Sequence, residues 1–232
     1  MAEKPHIATS TNSLNKLRAS VLGANDGIVS TAGLVLGVTG AAADKEAIML
    51  AGFAGLVAGA ISMAAGEFVS VSSQRDSEKA FLKQKQTHIK NAHDSNVDEL
   101  IEIYQAKGIS KKTATQAAKE LADNGTLDIE LQKEFDIDPD DLTNPWSAAI
   151  ASAISFVIGA AVPLTAIALA PTKWQVPVTA LAVLISLILA GTLSARAGEA
   201  NKTRAALRIV TWGVGAMAIT YVIGHLIGIS LG

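Results

Sequence analysis

The chain contains no cysteine, which excludes a disulfide framework and any thiolate metal site. Aromatic residues supply only 4% of it and charged residues only 17%, a low charge content for a soluble domain. The formal net charge is −2, and no basic patch has aromatic neighbours, so nothing points to nucleic acid. The patterns H-E-x-x-H, G-x-S-x-G and G-x-x-x-x-G-K-[ST] are all missing, and with them the common signatures of zinc hydrolysis, acyl transfer and phosphate binding. No catalytic residue and no resident cofactor are therefore expected. The opening "MAEKPHIATSTNSLNKLRAS" has no apolar core ahead of a small-residue cleavage site, so no removable signal peptide is expected and the first apolar run serves as the insertion signal.

What is abundant is hydrophobic sequence, 50% of the residues, and it is clustered. A helix needs about 20 apolar residues to cross a bilayer. Five runs reach that length, Ala19–Ala42, Ala47–Val71, Trp146–Ala170, Trp174–Ala195 and Ala205–Leu231. None alternates with period two, which excludes transmembrane strands. The expected fold is all-α: a polytopic membrane protein of five transmembrane helices, with a charged helical insertion between the second and third. The divisions are residues 1–18, 19–71, 72–145 and 146–232.

Basic residues set the orientation. Lys4, Lys16 and Arg18 precede the first span, and Arg196, Lys202, Arg204 and Arg208 surround the fourth connection. The loops around Lys45 and Lys173 hold one lysine each. The N-terminus and residues 72–145 are thus expected in the cytoplasm, and the C-terminus on the far side.

Residues 72–145 carry fifteen Asp and Glu against ten Lys and Arg. Gly108 and Gly125 read as helix stops, Ser110 and Thr126 as N-caps, and the first helix as a continuation of the second span. Three short helices with small apolar faces result, near the lower size limit for an independent core. Such an acidic lobe either concentrates cations or is a solvated connector.

Ionisable residues inside spans are functional-site hypotheses by default. Asp26, Glu67 and His225 qualify. Asp26 and Met63 each lie about seven residues from the cytoplasmic end of their spans, roughly 10 Å deep, so antiparallel neighbours bring them to one level. Glu67 is one turn nearer the cytoplasm on the face of Met63. A carboxylate with a thioether suits an ion of intermediate softness such as Fe²⁺, whereas carboxylate alone suits Mg²⁺, Ca²⁺ or Mn²⁺ equally. The plainer readings are a packing methionine, an aspartate capping a break at "NDG", a glutamate reaching headgroups and a structural His225. Gly33, Gly37 and Gly40 on the first span, and Gly52, Gly55 and Gly59 on the second, form small-residue faces suited to close helix contact. A two-fold dimer packed through them would double the carboxylates.

"NDGIVSTAGLVLGVTGA" followed by "AGAISMAAGEFVSVSSQRDSE" resembles the two signature spans of the vacuolar iron transporter family, and the likeness extends over nearly the whole chain. It implies a homodimer that moves Fe²⁺, often Mn²⁺, out of the cytoplasm in exchange for protons. Asp26 and Met63 fall at the family's pathway aspartate and methionine. Some plant-type and parasite members add acids where this chain has Ala19 and Gly55. They have glycine where it has Glu67, and the "GEFVSV" form is similar to the bacterial branch. The family's insertion is a three-helix metal-binding domain rich in glutamate and methionine. Here its expected first acidic pair reads "FLKQKQTHIK", its next is reduced to Asn96 and Glu99, and it has no methionine. Glu99, Glu102, Glu130 and Glu134 remain as lobe ligands, with His88 and His93 as substitutes or as solvated helix residues.

The expectation is a divalent metal–proton antiporter in a bacterial cytoplasmic membrane, with Fe²⁺ or Mn²⁺ as substrate, lipid and a second copy as its partners. Asp26 and Met63 bind the ion, and Glu67 serves as cytoplasmic-side ligand or proton-coupled group. Two alternatives share these residues or bypass them: a passive divalent cation channel, and a membrane-anchored metal sensor or scaffold acting through the lobe.

Overall fold

The computed structural model describes residues 11–91, 93–126, 130, 143–197 and 201–231. Among them are seven α-helices and no strand: α1 (Thr11–Gly40), α2 (Lys45–Asn91), α3 (His93–Ala106), α4 (Lys111–Asp123), α5 (Pro145–Leu169), α6 (Gln175–Ala197) and α7 (Lys202–Leu231). Five of them, α1, α2, α5, α6 and α7, are long and apolar enough to cross a membrane. The all-helical, five-span expectation holds.

Helix starts follow from polar residues between the apolar runs. Asp44 Oδ1 accepts from the Ala47 amide at 2.8 Å, Asn144 from Ser147 at 3.3 Å and Asn201 from Arg204 at 3.0 Å. Each satisfies an orphan donor of the first turn. Pro145 occupies the first turn of α5, where a missing amide costs nothing. α2 continues for 47 residues, as the lack of Gly or Pro between 67 and 90 predicts.

The chain divides into two compact units, Met1–Val71 with Asn144–Gly232, and Ser72–Thr143. In the first, α1 is the central element: 44% of its apolar window is buried, against 11% for α2. Ile28, Ala32 and Leu36 of α1 pack on Val183 and Leu187 of α6 and Met217 of α7. Val35 packs on Ile48 of α2 and on Leu164 and Ile167 of α5.

Within a bilayer apolar side chains gain nothing by leaving lipid for one another, so close backbone approach decides which helices associate. A Cβ at Gly27 would collide with the carbonyl of Phe156, one at Gly159 with that of Ala24, and one at Gly224 with that of Gly37. These contacts lock α1 to α5 and α7. The six glycines of the two small-residue faces all have partners inside the chain. Gly33, Gly37 and Gly40 meet Thr220 and Tyr221, while Gly52, Gly55 and Gly59 meet Leu164, Leu34 and Phe156. A small-residue pattern identifies a contact face but not which helix covers it.

The second unit is built around Leu100, Ile101, Ala114 and Ala118, flanked by Leu82, Val97, Tyr104 and Leu121. Ser110 caps α4 by accepting from the Thr113 amide at 3.3 Å. Gly108 and Gly125 adopt φ of +90° and +68°, left-handed values that favour glycine at a helix stop. The helix expected after Thr126 lies outside the described residues apart from Glu130.

Candidate functional site

The register of α1 against α2 can be followed from contacts at two levels. Leu34 reaches the position where Gly55 lacks a side chain, and toward the other end Ala19 packs with Val71 and Ala148. Antiparallel helices joined at these points carry Asp26 opposite Met63. Between the joints lies a cleft of about 190 Å³, lined by Asp26, Ser30, Thr31 and Leu34 of α1, by Gly55, Gly59, Ser62 and Met63 of α2, and by Phe156 of α5. Asp26 and Met63 are each half-buried, whereas Ser30, Leu34 and Ser62 are exposed, so the cleft opens to one side.

The void has a local cause. Gly55 and Gly59 present bare backbone on the face of α2 that carries Met63, and the space beside Gly59 is partly filled by the Phe156 ring. What remains holds one carboxylate, one thioether and three hydroxyls. A small cation can be matched by that donor set, and an anion would face the carboxylate unaided.

Glu67 sits elsewhere. It does not line the cleft. It is 6% exposed, and its Oε1 accepts from Arg18 Nη2 at 2.8 Å. Sequence reasoning had counted Arg18 only as an orienting charge. Its pairing follows from the same register that sets Asp26 opposite Met63. Phe68, next to Glu67 in sequence, meets Trp146 in a tilted ring contact, with centroids 4.7 Å apart and planes at 53°.

His225 is exposed on α7. Ala19 is fully buried, and Gly55 forms part of the cleft, so neither position offers a further acid.

In the second unit Tyr104 donates to Glu130 Oε1 at 3.2 Å, and Glu102 is exposed. Asn96 is completely buried. Among the described residues no three His, Asp or Glu side chains gather in a way that would hold a metal. Glu134 and the side chains of His88 and His93 lie outside the described residues. The structure thus brings Asp26 and Met63 to one cleft, puts Glu67 in an ion pair and assembles no described lobe cluster. Thr31, Ser62 and Phe156 are cleft residues that sequence reasoning passed over. Ser62 and Thr31 had a readable signal, being hydroxyls next to, or about one turn from, the marked residues.

The chain is similar to known proteins over most of its length. The family model described as the VIT family matches residues 17–225. The chain is 38% identical over 213 residues to vacuolar iron transporter homolog 2.1 of Arabidopsis thaliana, covering 91% of this chain and 81% of that one. It is 36% identical over 212 residues to the vacuolar iron transporter of Acanthamoeba castellanii, covering 90% and 78%. It is also 34% identical over 215 residues to VIT-like transporter 1b of Glycine max, covering 92% and 77%.

Proposed function

The chain belongs to the VIT family, and from that premise we propose that it carries Fe²⁺, and Mn²⁺ beside it, out of the cytoplasm in exchange for protons. It is an integral membrane metal transporter and not an enzyme. The direction, the second metal and the proton exchange are the proposal. The observation that supports it is the cleft between α1 and α2, which brings Asp26 and Met63 together from two spans.

In this reading the Asp26 carboxylate holds the ion by charge, and the Met63 thioether favours the softer Fe²⁺ over Ca²⁺ or Mg²⁺. Glu67, tied to Arg18, is the cytoplasmic-side group. An arriving cation competes with the guanidinium for the same carboxylate, so the pair breaks as metal is admitted. The acidic lobe gathers ions from solution, with Glu99, Glu102, Glu130 and Glu134 as its contacts. The N-terminus and the lobe face the cytoplasm, in keeping with the clustered Lys and Arg, and the membrane is a bacterial cytoplasmic one. Two copies work together, as the family resemblance implies. Leu50, Phe53, Val57 and Ile61 form one exposed apolar stripe on α2 that suits either a second copy or lipid.

The test is flux into proteoliposomes carrying a metal-sensitive and a pH-sensitive dye together, with Fe²⁺, Mn²⁺ and Ca²⁺ offered in turn. Metal movement with opposite proton movement supports the exchange. Metal movement without protons means a channel. No movement of any metal overturns the reading.

A further inference from the structure

A hydroxyl inside a membrane helix has no water to bond, and its ordinary partner is the carbonyl one turn back. Ser30, Thr39, Thr165, Ser186, Thr211 and Thr220 all take that partner, at 2.5–2.9 Å. Thr31 does not. The residue is 2% exposed, and its Oγ1 is buried without a hydrogen-bond partner among the described residues. It lines the cleft of Asp26 and Met63.

A buried hydroxyl without a partner is costly to keep. Ser152 and Thr179 share that condition, but neither lines this cleft. Of the three, Thr31 alone lines the cleft of Asp26 and Met63. An apolar guest would leave its oxygen unsatisfied, and an anion would be opposed by Asp26. A divalent cation, or a water in its hydration shell, satisfies the hydroxyl and the carboxylate alike.

Position matters as much as chemistry. Residues 26 and 31 are separated along the helix by about 7.5 Å. Two oxygens sharing one ion lie no more than about 4–5 Å apart, given metal–oxygen bonds of about 2.0–2.6 Å. Thr31 also lies on the side of Asp26 away from the Arg18–Glu67 pair, since Arg18 precedes Asp26 on α1 and Glu67 follows Met63 on the antiparallel α2.

Resting on the transport reading of this cleft, we propose that Thr31 is a second station on the ion path. It is a neutral oxygen donor that receives the divalent ion, bare or through a retained water, after it leaves Asp26 and Met63. A station of this kind lowers the barrier to departure without strengthening the first site. It therefore sets turnover rather than affinity.

The experiment pairs Mn²⁺ binding to the purified full chain, read by electron paramagnetic resonance, with Mn²⁺ flux in proteoliposomes. It uses the wild type, Thr31→Val, Thr31→Ser and Asp26→Asn. Thr31→Val preserves shape and removes only the hydroxyl. It is expected to lower maximal flux about tenfold, the effect of losing one hydrogen-bond-strength interaction, while Mn²⁺ affinity stays within twofold of wild type. Thr31→Ser should restore the flux. Unchanged flux in Thr31→Val overturns the proposal, as does a Thr31→Ser variant that behaves like Thr31→Val. A loss of affinity in Thr31→Val matching that of Asp26→Asn also overturns it, by making Thr31 part of the first site. Wild-type chain that moves no Mn²⁺, or Asp26→Asn that binds and moves it normally, fails the transport reading and the proposal with it.

Discussion

Arg18 donates from Nη2 to Oε1 of Glu67 at 2.8 Å, and the two ends of that bond live in different surroundings. The guanidinium side chain is 52% exposed and the carboxylate side chain 5%. Removing either partner therefore has unequal consequences. Arg18→Ala strands a buried carboxylate, whereas Glu67→Gln leaves a cation that solvent or headgroups can reach. Arg18→Ala is expected to cost about 1–3 kcal/mol, below the range for a fully buried pair because one partner is half exposed. Glu67→Gln should cost less, and the double variant should recover most of the loss. Thermal melts of the four proteins in one detergent measure this. Equal penalties for the two single variants would contradict the asymmetry.

Asp26→Asn keeps the size of the side chain and removes its charge. Transport of every divalent ion should fall by about a hundredfold or more, the scale of losing a charged partner at a desolvated site, with assembly unchanged by gel filtration. Full transport by a well-folded variant would rule out the cleft as the path.

Met63→Leu conserves volume and removes the sulfur. The preference for Fe²⁺ over Ca²⁺ should drop by about tenfold, as expected for one weak ligand, with the Ca²⁺ rate little changed. Competition flux with both ions present reads the ratio directly. An unaltered ratio would assign Met63 to packing.

Gly159→Ala places a methyl against the carbonyl of Ala24, while Gly215→Ala meets nothing within 4 Å. The first should destabilise by about 1–3 kcal/mol through overpacking. The second should be neutral or stabilising by up to about 1 kcal/mol, because alanine is the better helix former. The comparison is made by melting temperature, and a shared response would mean that these backbones are less tightly locked than the geometry shows.

Glutamine at Glu99, Glu102, Glu130 and Glu134 together tests the gathering role of the lobe. Apparent KM for metal should rise by roughly twofold to tenfold, with the maximal rate unchanged and the effect fading as salt is raised. An unchanged KM at low ionic strength would make the lobe a connector.

The five spans were readable because a bilayer imposes a length and an apolar composition that few soluble helices meet. The meeting of Asp26 and Met63 was readable for a related reason: in two antiparallel apolar spans of similar length, depth follows from residue count. The partner of Glu67 was not. Arg18 contributes to topology as a bare count of positive charge, and only the helix register reveals that it reaches one particular carboxylate. The glycine faces were legible as faces, yet Gly37 and Gly40 turned out to meet α7, because small residues record closeness and not identity. Thr31 was the least visible. Whether a helical hydroxyl bonds its own backbone depends on rotamer and neighbours, and sequence carries neither. The lobe shows an opposite limit, since its acidic composition was plain but gathers no described cluster.

The backbone-on-backbone contacts at Gly27, Gly159 and Gly224 divide the membrane unit mechanically. A carbonyl pressed where a Cβ would be cannot slide past without separating two whole helices, so α1, α5 and α7 behave as a fixed frame. α2 meets that frame chiefly through the ends of side chains, Leu34, Leu164 and Phe156 against its glycines, and those ends can change rotamer. It is fastened near its start by Ile48 and again, about six turns on, by Val71 and the Arg18–Glu67 bond. Any widening or narrowing of the cleft is therefore expected to fall on the stretch of α2 between Ile48 and Val71, the part held by side chains alone.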